Sequence, residues 1–365
     1  MRVVICGGGV IGACTAYFLS RRGIEAIVVE STAVAAAASG KAGGFLALDW
    51  CAGSPLDALA RRSFGLHAAL RGEIDGDWGY QRTTAWSGFV VPDRDARREK
   101  PSRLDWLSDG IVIAQRLGTT ETTAMLHPGK FTAAMMQAAQ QHGAELRRAR
   151  ITGLSRRGES TVTGVETDGG VIAADAVVVA LGPWSLLAAG WMDLPAVFGR
   201  RSPSLVYDLG ENVPADALFL EHQEENGGVL TIEVFPRADG STHIVAFGDE
   251  RPLPLDPAAV VPDPGEIDRL RAICERLSPL FRPERIIARQ ACFRPVTQDG
   301  LPLIGKTGEG AYVATGHSVW GILNAPATGE ALAELIADGA ARGTDLTPFD
   351  PRRLAPLDPA LLRSS

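Results

Sequence analysis

Val3-Val4-Ile5-Cys6-Gly7-Gly8-Gly9-Val10-Ile11-Gly12 decides the fold of this chain, together with the run Ala26-Ile27-Val28-Val29-Glu30 that follows it. The spacing predicts a strand, a glycine turn, a helix to about Arg22, and a second strand with an acidic tip. Gly7, Gly9 and Gly12 fit GxGxxG, with a carboxylate about twenty residues on. Gly7 permits the tight turn, Gly9 lets backbone approach a pyrophosphate, and Gly12 lets helix and strand pack closely. Unpaired N–H groups of Val10, Ile11 and their neighbours at the helix start favour phosphate, and Glu30, followed by Ser31, can accept from ribose hydroxyls. These residues point to a dinucleotide and leave the choice between NAD and FAD open. Arg2 with the apolar run, and Ile11-Gly12-Ala13-Cys14, also resemble an export signal. Glycines at the motif spacing, a single basic residue and Glu30 favour the nucleotide reading.

Outward from this unit, 365 residues exceed what one core usually serves, so two domains are expected. The hydrophobic share is 45%, ordinary for a globular chain, and a net charge of −7 argues against a nucleic-acid surface. The longest apolar candidate, Val171 to Trp191, is interrupted by Asp175 and Gly182-Pro183, so no membrane span is expected. Five cysteines without a CxxC pair suit the reducing cytoplasm, and six scattered histidines give no metal spacing.

Along the chain, residues 52–124 read as irregular, with one helix near Leu56 to Leu70 and Trp78, Trp86 and Trp106 among charged turns. Lys130 to His142 reads as a helix and Glu145 to Leu154 as one strand. Val162 to Glu166 and Val171 to Ala173 read as a hairpin, and Asp175 to Ala180 as a buried parallel strand. Leu230 to Phe235 and His243 to Phe247 alternate at period two about Ala238-Asp239-Gly240, a hairpin. Glu266 to Leu277 is a helix, Ala311 to Thr315 a strand, Ile322 to Asp338 a helix, and Pro348 onward loose chain. The fold class expected is α/β. A Rossmann-like nucleotide domain is assembled from 1–50, 126–186 and 292–345, a β-rich substrate domain from 51–125 and 187–291, and 346–365 is a tail.

Four separated matches resemble the flavin-dependent D-amino-acid oxidase superfamily, in its glycine oxidase and sarcosine oxidase branch. They are the GxGxxG unit with Glu30; Ala38-Ser39-Gly40-Lys41-Ala42-Gly43-Gly44; Cys292-Phe293-Arg294-Pro295-Val296-Thr297 with Asp299-Gly300, Pro302 and Ile304-Gly305; and Gly316-His317, Gly321-Ile322-Leu323 and Ala325-Pro326-Ala327-Thr328-Gly329. The resemblance implies FAD. It implies that the helix from Gly321 points its N-terminus at the isoalloxazine C2 carbonyl, with backbone contacts from Gly316, Gly321, Ile322 and Leu323. Ile151 would lie on the adenine side, and Ala180, Gly182 and Trp184 at a strand end near the cofactor.

The resemblance also assigns the substrate side. Arg294, in the Arg-Pro position, would bind a substrate carboxylate through its planar fork. Glu233 stands where relatives place a tyrosine, and there it would meet an ammonium group; Thr231 and Phe235 share its face. Val319 and Trp320 replace the arginine and asparagine of glycine oxidase, which favours a bulkier or flatter substrate than glycine. His317 would hydrogen-bond near the flavin, and Lys41 would meet the pyrophosphate or the ring. Cys292 matches the cysteine that tethers flavin in monomeric sarcosine oxidase, although the Phe-Arg-Pro around it belongs to members with non-covalent flavin; non-covalent FAD is expected. The implied reaction is oxidation of an amine or amino acid, with hydride passing from the α-carbon to flavin N5, an imine product, and O2 reduced to H2O2. A flavin dehydrogenase using another acceptor, and a flavoprotein that serves as a binding or assembly factor, are the alternatives. The oligomeric state is left open.

Overall fold

The structure is a computed structural model, and it describes residues 1–91, 104–158, 160–210, 213–224 and 227–363. A six-stranded sheet runs in the order Leu303–Gly308, Ala311–Thr315, Ala176–Val179, Arg2–Cys6, Glu25–Glu30, Glu145–Arg148. Every pairing in it is parallel except that of Leu303–Gly308 with Ala311–Thr315. Its apolar strands are buried on both faces, as parallel strands must be. Val3, Ile5, Val28 and Val178 pack under the helices Val10–Ser20, Pro128–Gln141 and Gly321–Asp338. Val4, Cys6, Ile27 and Val177 face a three-stranded antiparallel sheet made by Ile151–Arg157, Thr161–Thr167 and Gly170–Ala173.

An eight-stranded sheet forms the other half. Val197–Asp208 pairs along its length with Ile286–Thr297 and, on its other edge, with Asp249–Glu250 and Ser241–Val245. Val229–Pro236, Asp216–Gln223, Thr84–Val90 and Ile111–Gly118 follow in order. Period-two alternation splits this sheet into two chemical faces. Leu205, Tyr207, Ile232, Val234 and Ile244 bury against Ile267, Leu270, Cys274 and Leu277 of the helix Pro264–Leu277. The residues out of phase with them, among them Arg200, Ser202, Ser204, Glu233 and His243, face a cavity toward the first sheet.

The α/β class is as expected, and three local readings are corrected. Glu145 to Leu154 is not one strand: Glu145–Arg148 closes the parallel sheet, and Ile151–Arg157 leaves it for the three-stranded one. Ala149 N–H donates to the Glu30 carbonyl at 3.1 Å, where the chain changes sheets. Residues 52–124 are not mostly irregular. Thr84–Val90, which carries Trp86, and Ile111–Gly118 extend the large sheet; Trp78 and Trp106 are buried, Trp106 within a turn as expected; positions 92–103 lie outside the described residues. The stretch from Pro348 is docked, not loose, with Phe349 and Pro351 buried and Arg353 bonded to Asp299 at 2.7 Å and to the Leu301 carbonyl. Its last two residues lie outside the described ones. Among the described residues no helix is long and apolar enough to cross a membrane.

Candidate active site

A cavity of about 640 Å³ lies between the two sheets. At one end the strand Arg2–Cys6 delivers the chain into Gly7, whose φ of +110° only glycine holds without strain. A Cβ there would meet the Ala180 carbonyl oxygen at 2.6 Å, and one on Gly12 would meet the Gly7 oxygen at 2.0 Å. The tight turn and the close helix–strand packing are therefore both built. No side chain of the helix caps its own start; Ser39 Oγ accepts from Val10 N–H at 2.9 Å. Glu30 Oε2 accepts from Gly8 N–H at 2.7 Å, while Oε1 accepts from Thr32 N–H and Thr32 Oγ, each at 2.8 Å. A carboxylate offers about four acceptor sites, so one stays open toward the cavity that Glu30 lines.

Gly7, Gly9, Val10, Ile11, Glu30 and Ser31 line this end, with Ile151 and Ala180 to Gly182 beside them. Ser39, Lys41, Ala42 and Gly43 carry the wall along its length. Arg237 is buried and fixes that wall, donating from Nη2 to the Ala42 carbonyl at 2.8 Å. Lys41 Nζ donates to the Ala291 carbonyl at 3.1 Å, so the lysine joins the wall to the strand bearing Cys292 and Arg294. Trp184 lines the cavity with its indole N–H bonded to the Pro254 carbonyl at 2.7 Å.

The other end collects the substrate-side residues. Arg294 faces the cavity, and its Nε is buried with no hydrogen-bond partner. Burial holds its pKa below the usual value, while Glu233 and Cys292 act in the opposite sense. Glu233 also lines the cavity, directly across from Phe219 on the neighbouring strand. Burial raises its carboxyl pKa above the usual range, and the Arg294 charge opposes that rise without an ion pair. Burial likewise pushes the Cys292 thiol up, against Lys41 and Arg294. His317 is buried, lines the cavity, and contacts Thr328 Oγ through Nε2 at 3.1 Å; burial lowers its pKa to about 3, so the ring is neutral.

Gly321 and Ile322, at the open start of the helix Gly321–Asp338, line the same end. Gly12, Gly40, Gly316, Leu323 and Trp320 stand behind the wall rather than on it. Trp320 meets Trp50 edge to face at 6.5 Å, and Trp50, Phe45, Phe219 and Phe235 continue the ring contacts. Thr231 lines the cavity, and Phe235 is buried beside His243.

Sequence reading missed Arg200, Ser202, Ser204 and His243, which all line the cavity. The alternation of Val197–Asp208 carried the signal for the first three, since positions 200, 202 and 204 share one face. His243 holds the Lys41 carbonyl at 3.1 Å, and burial lowers its pKa to about 3. Arg150, also on the wall, sits in a loop with no periodicity to mark it. Among the described residues no group of three or more His, Cys, Asp or Glu side chains could hold a metal.

Comparison with known proteins agrees with this architecture. The model of the FAD dependent oxidoreductase (DAO) family matches residues 2–335. A Schizosaccharomyces pombe protein named as an oxidoreductase is 29% identical over 378 residues, covering 96% of this chain and 97% of its own length. Glycine oxidase of Geobacillus kaustophilus is 28% identical over 393 residues, covering 95% of each. A crystal structure of glycine oxidase from Geobacillus kaustophilus superposes with a TM-score of 0.78 at 25% identity, covering 97% of this chain and 99% of that one. L-proline dehydrogenase of P. horikoshii shares the fold, with a TM-score of 0.76 at 18% identity and coverage of 96% and 97%. With a glycine cradle at one end of the cavity and an unpartnered arginine at the other, the chain belongs to the DAO family of FAD-dependent oxidoreductases and is an enzyme of the amino-acid and amine oxidase type.

Proposed function

We propose that this chain oxidises an amino acid or a carboxylated amine, with FAD held along the cavity between its two sheets. The observation that carries the reading is the buried, unpartnered Nε of Arg294 on the cavity wall. A buried donor without a partner is costly, and a substrate carboxylate relieves that cost with two parallel charge-assisted bonds. When bound, FAD would supply the hydride acceptor for the α-hydrogen of a neutral amine, which would give an imine for water to hydrolyse, with O2 as the terminal acceptor and H2O2 as its product.

The rest of the work falls to the chain's own residues. The amides of Gly9 and Ile11, which line the cavity, receive the diphosphate, while Val10 N–H is already held by Ser39 Oγ and Gly12 packs behind them. The free acceptor site of Glu30 takes one ribose hydroxyl, with Ser31 beside it. Ser39, Lys41, Ala42 and Gly43, backed by Gly40, and the residues Ile151, Ala180, Gly182 and Trp184 fix the cofactor along its length. Gly321 and Ile322, which line the cavity, present backbone to the ring, with Gly316 and Leu323 behind them. That helix start favours negative charge.

Arg294 sets the carboxylate, and Glu233 sets the amine. A carboxylate whose proton affinity is raised by burial accepts a proton from the substrate ammonium more readily, which frees the lone pair that expels the hydride. His317, neutral through the physiological range, orients rather than transfers charge. Trp320, behind the wall, and the rings it meets back the space for the substrate side chain. The segments 1–50, 126–186 and 292–345 serve the cofactor, and 51–125 and 187–291 serve the substrate. Free, buried cysteines fit a reducing compartment, and we place the enzyme in the cytoplasm with non-covalent FAD.

The test is product stoichiometry with the holoenzyme. One H2O2 per oxidised substrate is expected. Turnover that needs a dye acceptor and yields little peroxide overturns the oxidase assignment.

A further inference from the structure

We propose that His67 is a positioning residue for the cofactor-facing end of the helix Gly321–Asp338. The inference rests on the reading that this helix end meets the flavin ring. Pro326 lies inside the helix, one turn from its start. It has no N–H, so the Ile322 carbonyl loses its partner four residues on. The next amide has a partner outside the helix: Ala327 N–H donates to Ser63 Oγ at 3.1 Å. His67 Nε2 stands 3.0 Å from the Ile322 oxygen and 3.2 Å from the Leu323 oxygen. Carbonyls only accept, so Nε2 carries the proton and donates to both. The tautomer leaves Nδ1 bare, and Nδ1 is indeed a buried atom with no partner.

Ser63 and His67 lie four residues apart on the helix Asp57–Glu73, hence on one face. One accepts and the other donates, and together they repair the turn that Pro326 breaks. The imidazole is fully buried against the Phe131 ring, and burial keeps it neutral, with a pKa lowered to about 4. A charged donor is not needed there, and an apolar residue would leave the Ile322 carbonyl unpaired.

The consequence reaches the cavity through single peptide units. The Ile322 carbonyl belongs to the same peptide as the Leu323 N–H, one of the amides at the helix start with no partner inside the helix. A hydrogen bond to the carbonyl polarises that peptide and strengthens its N–H as a donor. It also fixes the path of Gly321 and Ile322, which line the cavity. His67 therefore hydrogen-bonds only backbone, yet sets how firmly the helix start stabilises negative charge on reduced flavin.

The experiment measures the two-electron midpoint potential of the holoenzyme by dye equilibration, with thermal midpoint followed in parallel. His67→Leu removes the donor and is expected to weaken binding of reduced FAD relative to oxidised FAD about tenfold, a fall of about 30 mV. His67→Gln, whose amide can donate to the same carbonyls, is expected to stay within threefold of wild type. Ser63→Ala removes the other half of the clamp, and a shift of about threefold in the same direction is expected; it replaces His67→Leu should that variant not fold. A wild-type potential in His67→Leu, or in Ser63→Ala as its replacement, overturns the proposal whatever the thermal midpoint does. Gly321→Asp separates this failure from failure of the underlying reading. It places a charge at the helix start, where acids are tolerated, and lowers the potential only if the ring lies there. A shift in Gly321→Asp without one in His67→Leu rejects His67 alone. No shift in either rejects the helix–flavin contact.

Discussion

Arg294 and Arg200 stand directly opposite one another on neighbouring antiparallel strands, both facing the cavity, and neither side chain forms a hydrogen bond or ion pair among the described residues. The Arg200 charge lowers the pKa of Arg294, as burial does more strongly. Like charges directly across a strand pair are destabilising. The next residue shows the contrast: Arg201 points to the other face and is bound to Glu266 at 2.5 Å. Arg201 is bridged on the face turned to the helix Pro264–Leu277, whereas the pair over the cavity has no such bridge among the described residues.

Arg294→Leu separates function from stability. The variant is expected to raise KM for a carboxylated substrate more than tenfold. It also removes a buried, unpaired charge, so the cofactor-free protein should gain thermal stability, by roughly 2 °C if the gain is about 1 kcal/mol. Steady-state kinetics and a thermal melt check the two halves. An unchanged KM removes Arg294 from the substrate.

Glu233→Gln tests the amine end. The Glu233 carboxyl titrates above the usual carboxylate range because it is buried. Its ionised form therefore appears only as pH rises past that shifted value, and kcat/KM should carry an acid limb there. The glutamine variant should lose this limb and show a plateau lowered about tenfold, within the span that general acid–base groups contribute. A limb that persists unchanged assigns the ionisation to another group.

Acid lability follows from four histidines. Burial lowers the pKa of His67 and His127 to about 4, and of His243 and His317 to about 3. In the unfolded chain each takes a proton near pH 6.5. Between that value and the folded pKa the unfolded state binds more protons, so stability falls as pH drops and is fully present above about 6.5. The melting midpoint of the cofactor-free protein should decline from pH 7 to pH 5. His67→Gln, compared with wild type by the slope of stability against pH, should reduce that dependence by about one proton. A flat profile across this window would show that these rings stay accessible to protons in the fold.

Gly329→Ala probes the crossing of two helices. A Cβ on Gly329 would lie 2.6 Å from the Cys14 carbonyl carbon, where the helix Gly321–Asp338 meets Val10–Ser20. Backbone cannot yield there as a flexible side chain does. The alanine variant is expected to lose about 1–3 kcal/mol in denaturant unfolding, the usual cost of overpacking. Wild-type stability would mean that the helices can part without loss.

What the sequence made legible was whatever repeats at a fixed period or sits in a rigid turn. Val3 to Glu30 announced strand, turn, helix and acid because each glycine has one geometric task. The hairpin around Asp239 was visible because its strands alternate in phase. The paired strands Thr84–Val90 and Ile111–Gly118 were not, because their pairing is non-local and Trp86, Gly88 and Arg116 blur the alternation. Arg294 and Glu233 were readable as residues but not as neighbours, since they lie on strands separated by two others in the sheet. His67 was invisible for a different reason. Its task is to hold the carbonyls of Ile322 and Leu323, the first released by a proline some 260 positions away, and no local pattern records that.

The most direct measurement is anaerobic flavin bleaching. The holoenzyme and Arg294→Leu are mixed, without oxygen, with amines and amino acids of both hands, and flavin absorbance is followed. Bleaching of the wild-type flavin by amino acids or carboxylated amines, at concentrations more than tenfold below those the variant needs, is the predicted result. Equal bleaching of both proteins at equal concentrations, or a chain that takes up no FAD at all, would contradict it.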